Sequence, residues 1–187
     1  MLKELLEITR SYRRFDGNRR ISDSELREIA GSVRLCPSAA NLQRVKVKIV
    51  NDSLQNNAVF GELSFAAYLK DWKGPEEHER PVAYFVLLTE REPDVNLAID
   101  VGICAEAIVL SARERGIGAC MFRSFNKDSL SQKLGTEGLI PALVIAFGYP
   151  AETVVLDEAR DNDLKYYRDA DGVHHVPKLS LDDIVIE

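Results

Sequence analysis

The residues best suited to binding a ligand stand together near the N-terminus, in the segment Arg10-Ser11-Tyr12-Arg13-Arg14. Arg10, Ser11 and Arg13 offer two guanidinium groups and a hydroxyl at the end of a short amphipathic helix. Guanidinium groups bind phosphate through charge-assisted, bidentate hydrogen bonds, so the cluster predicts an anion site. A structural role is the alternative, because cations at a helix C-terminus commonly complement the helix dipole.

A second candidate site is the turn Pro37-Ser38-Ala39-Ala40-Asn41-Leu42-Gln43. Its small residues allow the backbone to approach a flat ligand, and the amides of Asn41 and Gln43 can pair with ring carbonyl and imide groups. An ordinary turn between a helix and a strand explains the same residues nearly as well.

The sequence contains none of the motifs of α/β-hydrolases, P-loop NTPases, zincins or Rossmann proteins. His174 and His175 would point to opposite faces of a strand, so joint binding of one metal ion is not expected. Cys36, Cys104 and Cys120 lie far apart and are expected to be reduced, buried small hydrophobes, with a reactive thiol as the less favoured alternative. Neither a metal site nor a catalytic residue is predicted.

Composition and charge are those of an ordinary globular chain. The 187 residues correspond to about one domain, and 45% of them are hydrophobic and 29% charged. The formal net charge of −6 argues against general attraction to nucleic acid or to anionic lipid. No apolar run approaches the ~20 residues that span a bilayer, and the N-terminus has no signal-peptide core. A cytoplasmic protein without nucleic-acid or membrane partners is expected.

The spacing of apolar residues predicts an α+β domain with few strands between helices. Helices are predicted over residues 1–10, from the capping box of Ser22 and Glu25 onward, and over 51–68, 96–115 and 129–134. Strands are predicted over residues 45–50, 82–88, 117–122 and 140–147. The polar connection at residues 69–80 is a candidate cover over a site.

Residues 96–115 form the most apolar of the predicted helices, which indicates a buried helix. Asp100 and Glu106 interrupt it, and we expect them on an exposed flank or in a contact between subunits, because a buried carboxylate needs a partner. Residues 150–187 are strongly charged and too short for a second domain. We expect this C-terminal extension to wrap the core or a partner subunit.

Four short motifs, in their order and separation, resemble the nitroreductase family over nearly the whole chain. They are Arg10-Ser11-Tyr12-Arg13-Arg14-Phe15, Cys36-Pro37-Ser38-Ala39-Ala40-Asn41-Leu42-Gln43, the helix from Asp100-Val101-Gly102 to Glu114-Arg115-Gly116-Ile117-Gly118, and Phe147-Gly148-Tyr149-Pro150. The resemblance implies one homodimeric α+β domain, residues 1–187, with a central, mostly antiparallel sheet flanked by helices. It also implies one flavin mononucleotide (FMN) per site, in a groove at the subunit interface.

Carried over by position, the resemblance assigns three groups of residues to the FMN. The phosphate and ribityl chain would be bound by Arg10, Ser11 and Arg13, with Lys178 as the nearest candidate for a C-terminal cation. The isoalloxazine ring would lie along Pro37, Ser38 and Asn41, with Gln43 nearby or supplied by the other subunit. The segment that stacks on the ring and directs backbone amides at its reactive nitrogen would be Met121, Phe122, Arg123 and Ser124.

The sequence departs from the family pattern at three places. Arg44-Val45 replaces the usual Pro-aromatic pair, which predicts an altered pocket rim and substrate range. Arg123-Ser124 stands where many members have Gly, and a guanidinium there would favour the anionic reduced flavin. Leu179 occupies a place where a second cation is expected, which weakens the assignment of Lys178.

The resemblance implies a ping-pong oxidoreductase. NAD(P)H would deliver hydride to FMN and leave, and a nitroaromatic, quinone or similar small-molecule acceptor would take its place. No side chain need act as acid or base, because the redox chemistry belongs to the flavin. One alternative is a flavin-binding, flavin-sequestering or regulatory protein without significant turnover, which Arg44 and Arg123 would favour. Another is a fold that has lost the flavin.

Overall fold

The computed structural model describes residues 2–186. Its helices are α1 (Leu2–Ile8), α2 (Asp23–Gly31), α3 (Ser53–Phe60), α4 (Val95–Glu114), α5 (Lys127–Leu134) and α6 (Leu181–Ile184). Its strands are β1 (Lys46–Val50), β2 (Ala83–Thr89), β3 (Gly118–Phe122), β4 (Ile140–Gly148), β5 (Val154–Glu158), β6 (Tyr167–Arg168) and β7 (His174–Lys178). The predicted first helix began at Met1, and the predicted extension ended at Glu187. Both of these residues lie outside the described part of the chain.

The central sheet has four antiparallel strands in the order β1-β2-β4-β3. Every residue of β2 is buried, and β4 is buried along most of its length, so both strands are covered on both faces. Their continuous apolar runs indicated this environment, because a strand with one wet face alternates between apolar and polar residues. The α+β class with an antiparallel sheet is confirmed.

Alternate side chains of the strands enter two separate cores. On one face Phe85 and Phe147 lie with ring centres 4.7 Å apart, in a cluster that includes residues of α2 and α4. On the other face Tyr84 and Val86 pack in a cluster with residues of α3 and α5. Cys120 is buried in this second core, and burial raises the pKa of its thiol to about 11. Its thiol is therefore protonated at neutral pH.

Helix α4 packs across the sheet and differs from the sequence prediction in two ways. By length and composition alone it could cross a membrane, a test that core helices of soluble proteins also pass, and 44% of its most apolar stretch is buried in the protein. The prediction that no apolar run approaches this length was wrong, because Asp100 and Glu106 interrupt an otherwise apolar helix. Asp100 is also not on an exposed flank: it is buried, and its Oδ1 accepts a hydrogen bond from the Ala39 amide at 3.0 Å.

Two further stretches differ from the prediction. The helix predicted over residues 51–68 is limited to α3, because Gly61 caps it, and the chain beyond folds back so that Phe65 packs on Phe60 and Phe122. The C-terminal extension forms a small sheet of its own, with β7 between β5 and β6. Its strands were missed because they are short, mostly half-exposed and rich in charge. We call residues 150–186 the tail.

Candidate functional site

The site begins with residues 9–15, here called the N-terminal arm, which lie against one end of the central sheet. The amide of Tyr12 donates to the Ala119 carbonyl at 3.0 Å, and Phe15 forms a β-bridge with Pro150. Gly118 and Gly148 make room for this crossing. The arm therefore has a fixed path, from which Arg10, Ser11 and Arg13 project.

Gly118 and Gly148 face each other in the register of β3 and β4 beneath the arm. A Cβ atom on Gly148 would lie 2.7 Å from Cβ of Phe15, and one on Gly118 would lie 2.8 Å from the Tyr12 ring. Neither distance is tolerated between carbon atoms, so only glycine lets the arm approach the strands this closely. Both glycines belong to the motifs that carry the family resemblance.

Beside the arm lies a cavity of about 360 Å³, here called the anion cavity. Its walls come from the arm, from α4 and β3, and from the tail. The lining residues are Thr9, Arg10, Ser11, Arg13, Glu106, Val109, Ala119, Met121, Tyr166, His174, Val176 and Lys178. Five of the residues predicted from sequence meet here: Arg10, Ser11, Arg13, Met121 and Lys178. Glu106 is an exposed carboxylate at this wall and the one lining group that opposes an anion.

Arg13 is the most constrained cation of the cavity. Its Nη1 donates to the Ser11 carbonyl at 3.1 Å and to Nε2 of His174 at 3.1 Å. Its guanidinium carbon lies 4.7 Å from the centre of the Tyr166 ring, in cation–π geometry. Its backbone amide donates to the carboxylate of Glu152. Both the side chain and the backbone of Arg13 are thus held by the tail.

Glu152 joins the arm to the tail through a buried carboxylate. Its side chain is 1% exposed, and it accepts from the amides of Arg13 and Arg14 and from Nη2 of Arg168 at 2.9 Å. Arg168 also lies over the ring of Trp72, at 4.8 Å. Because an ion pair out of water needs several hydrogen bonds to offset its desolvation, this arrangement indicates a tightly specified junction.

His174 is fully buried at the back of the cavity. Burial, followed by the charges of Arg13, Arg168 and His175, lowers its pKa to about 4. At neutral pH it is therefore uncharged and able to accept a hydrogen bond from Arg13. Sequence reasoning considered this residue only as a metal ligand and missed its place in the site, since no local pattern shows that it meets a residue 161 positions away.

His175, its neighbour, does point to the opposite side, as the strand alternation predicted. Its Nδ1 lies 2.7 Å from Oδ2 of Asp157, and its Nε2 lies 3.2 Å from Oδ2 of Asp169. Hydrogen bonds to Asp169 and Asp157 raise the pKa of His175. This residue ties the tail sheet together and does not line the anion cavity.

Tyr68, which stands just before the connection at residues 69–80 that was expected to be a cover, contacts the tail beside the site. The Tyr68 and Tyr166 rings are 5.0 Å apart, and the Tyr68 amide donates to Oη of Tyr166 at 3.4 Å. Tyr166 is thus held from one side by Tyr68 while it faces Arg13 and His174 on the other. It is the second site residue that sequence reasoning missed.

The predicted ring-binding turn forms a separate cluster. Within it Gln43 donates to Ser38 through its backbone amide and to Asn41 Oδ1 through its side chain, both at 3.1 Å. Ala40, Asn41 and Gln43 have φ angles of 50°, 55° and 47°, a strained left-handed conformation for such residues. Clustered strain of this kind is common at functional sites.

This turn does not line the anion cavity of its own chain. Pro37, Ser38 and Gln43 line a different cavity of about 200 Å³, together with Arg44 and the two thiols of Cys36 and Cys104. Within one chain, the residues predicted to bind the phosphate therefore lie together. The residues predicted to bind the isoalloxazine ring lie apart from them.

The segment after β3 is divided between two environments. Met121 is exposed and lines the anion cavity, whereas the Phe122 side chain is buried against Phe65 on the opposite face of the sheet, with ring centres 4.8 Å apart. The Phe122 side chain therefore does not face the cavity, contrary to the stacking role expected for this segment. Arg123 and Ser124 are exposed just beyond the strand and do not line the cavity.

The anion cavity fits the phosphate end of FMN. Nε of Arg10 and Nδ1 of His174 are buried and have no hydrogen-bond partner within residues 2–186. An unpaired buried polar atom costs ~1–3 kcal/mol, a cost that the oxygen atoms of a bound phosphate would remove. The volume also falls in the range of ~300–1,000 Å³ that is typical of ligand pockets.

Comparison with known proteins agrees with this fold. The sequence model described as the nitroreductase family matches residues 7–149, which include the arm, the turn and both glycines. The chain belongs to the nitroreductase family. Among the curated proteins, none matches this sequence.

Solved structures of this family share the fold at low sequence identity. A nitroreductase family protein from Streptococcus pneumoniae has a TM-score of 0.69 and 18% identity, with 100% of both chains covered. Another from Clostridium difficile has a TM-score of 0.69 and 16% identity, covering 98% of this chain and 95% of that one. A protein described as an FMN-dependent nitroreductase, also from Clostridium difficile, has a TM-score of 0.64 and 18% identity, covering 89% and 97%.

Proposed function

We propose that the protein is an FMN-dependent oxidoreductase that uses NAD(P)H to reduce a nitroaromatic, a quinone or a similar acceptor. The observation that carries this proposal is the meeting of Arg10, Ser11, Arg13 and Lys178 at a cavity whose buried donors lack partners. Membership of the nitroreductase family and the similarity to a protein described as FMN-dependent support the choice of cofactor.

In this proposal the residues bind and orient, and none acts as an acid or base. Arg10, Arg13 and Lys178 neutralise the phosphate, and Ser11 contributes a hydroxyl. The amides of Asn41 and Gln43 pair with the polar edge of the ring. When bound, the flavin supplies reversible two-electron chemistry, which allows a nicotinamide donor and an electron acceptor to use the site in turn.

The proposal includes a homodimer. The predicted ring-binding turn and the anion cavity are separate in one chain. Exposed apolar side chains lie in the turn or next to it, among them Leu35, Leu42 and Ile99. A second copy packed over these side chains would complete the ring site. A cytoplasmic location and the absence of nucleic-acid or membrane partners stay predictions from sequence.

The first experiment is the visible spectrum of the purified protein, followed by acid release of the chromophore. We expect flavin bands and about one FMN per chain. The double variant Arg10→Ala/Arg13→Ala should lose flavin while the rate of hydride transfer to the flavin that remains is unchanged, because these side chains bind the phosphate rather than the reacting ring. Full occupancy in the double variant, or a colourless protein that binds no added FMN, would contradict the proposal.

A second candidate function is flavin binding without significant turnover. It is favoured by Arg44, which lines the cavity beside the turn at the altered rim. Anaerobic addition of NADH and of NADPH distinguishes the two functions. In an oxidoreductase the visible absorbance of the flavin bleaches with at least one donor, and in a flavin-sequestering protein it bleaches with neither.

A further inference from the structure

Arg13 is held by tail residues that lie beyond the part of the chain matched by the family model, which ends at residue 149. His174 Nε2 and the Tyr166 ring contact the guanidinium, and the centres of the His174 and Tyr166 rings are 5.2 Å apart. These contacts suit a guanidinium that must stay at one place and in one orientation.

The hydrogen bond between Arg13 and His174 fixes the tautomer of the histidine. Arginine can only donate, so Nε2 accepts, and in the neutral ring the proton lies on Nδ1. The low pKa keeps the ring neutral near pH 7, because burial and, after it, the charges of Arg13, Arg168 and His175 disfavour protonation. Nδ1–H is buried and has no acceptor in residues 2–186. An oxygen atom of a bound anion is the acceptor that this donor lacks.

We propose that His174 is a positioning residue of the anion cavity, which holds Arg13 toward the phosphate monoester of FMN through Nε2. This inference rests on the proposed function only in naming FMN, since the same geometry orients Arg13 toward any phosphate monoester or inorganic phosphate. The tail thereby does more than supply Lys178: it sets the direction of a cation that the arm carries.

Three variants separate positioning from general stability. His174→Leu removes the acceptor, whereas His174→Gln places an amide oxygen near the position of Nε2. The matched control is His175→Gln, on the same strand with its side chain toward Asp157 and Asp169 and away from the cavity. Thermal unfolding of each variant reports its folding separately from its binding.

Affinities for FMN and for riboflavin, which lacks the phosphate, are then compared. We expect His174→Leu to weaken FMN binding by about ten- to a hundredfold, the range for one hydrogen bond to a charged group, and to leave riboflavin binding unchanged. His174→Gln should bind FMN within about threefold of the wild type. Combining His174→Leu with Arg13→Ala should weaken FMN binding by less than the sum of the two single effects, because Nε2 of the histidine acts through the arginine.

Several results would overturn the inference. One is an equal loss of FMN and riboflavin affinity in His174→Leu. Another is additivity of the effects of His174→Leu and Arg13→Ala on FMN affinity. A third is a loss of FMN affinity in His175→Gln as large as that in His174→Leu. Unchanged FMN binding in His174→Leu overturns it while the proposed function stands.

Inorganic phosphate, measured by calorimetry, is the second probe. If the wild type binds phosphate but no FMN, the proposed function fails, and phosphate binding by the same variants still decides the role of His174. If the wild type binds neither, both the function and the inference are overturned.

Discussion

Gly148, a residue of the family motif, allows the N-terminal arm to lie close to the central sheet. Its missing side chain leaves room for Phe15, and the arm can then carry Arg10 and Arg13 to the cavity wall. The glycine thus acts on ligand binding from a distance, through the path of the backbone. It needs no contact with a ligand to do so.

Gly148→Ala should therefore impair both stability and binding. Overpacking at a site this tight typically costs ~1–3 kcal/mol of the free energy of unfolding, and relief requires the arm to move. Urea unfolding and FMN affinity measure the two effects. The control is Gly31→Ala at the end of α2, where an added Cβ meets nothing within 4 Å. An unchanged FMN affinity in Gly148→Ala would show that the arm does not depend on this contact.

Single residues also show how far the sequence could predict the site. Arg10, Ser11 and Arg13 were visible because they are nearly adjacent and all can donate hydrogen bonds to a phosphate. His174 and Tyr166 were not, because they reach the site only when the tail folds back over the arm. Asp100 was misplaced for a similar reason: its partner is a backbone amide of the turn, and backbone donors carry no signature in a sequence.

At the scale of elements, prediction succeeded where burial makes the pattern unambiguous. The strands β2 and β4 and the helix α4 have apolar residues on nearly every side, a pattern typical of elements in the interior of a fold. The tail sheet was missed because its strands are short and its faces are mostly half-exposed. Its order depends on particular polar contacts rather than on a periodic apolar face.

Glu152 joins the tail to the arm, so removal of its carboxylate should strongly lower the free energy of unfolding. Glu152→Ala leaves Arg168 largely buried without its counter-charge, and losing one partner of a buried ion pair typically costs ~3–5 kcal/mol. Urea unfolding measures the loss. Glu158→Ala, an exposed change in the same tail, should stay within ~0.5 kcal/mol of the wild type. Equal effects of the two substitutions would contradict this role for Glu152.

His175 should make the tail sheet sensitive to pH. Its pKa in the folded protein is raised above the ordinary value of 6.5 by Asp169 and Asp157, so the charged form is favoured by folding. The resulting stabilisation is complete below pH ~6.5 and is lost as the pH rises through the folded-state pKa. The Tyr167 ring, stacked at 4.7 Å, is the third group that faces this imidazole.

Hydrogen exchange of the tail amides at successive pH values, corrected for intrinsic rates, tests this dependence. Protection should fall with rising pH in the wild type and should lose that dependence in His175→Gln. His174 serves as an internal comparison, since its pKa of about 4 keeps it neutral throughout this range. Protection that rises with pH would contradict the assignment.

For the whole molecule the main prediction is a dimer. Light scattering should give about twice the chain mass of 21.0 kDa. Ile99→Glu, which places a charge among the exposed apolar side chains beside the turn, should produce monomers and weaken FMN binding. Leu54→Glu is the matched control, because Leu54 is equally apolar and 81% exposed but lies on α3, over the other face of the sheet. A wild-type monomer with full flavin content would refute the shared site.

The junction of arm and tail also bears on how the protein is made. Arg13 leaves the ribosome 161 residues before His174. The anion cavity therefore cannot close before this part of the tail has emerged, however early the central sheet forms. Contacts over such sequence separations form slowly, because a long loop must be closed first. A chain whose tail has not yet emerged, or has been lost to a protease, would lack the wall of the anion cavity that Tyr166, His174 and Lys178 form.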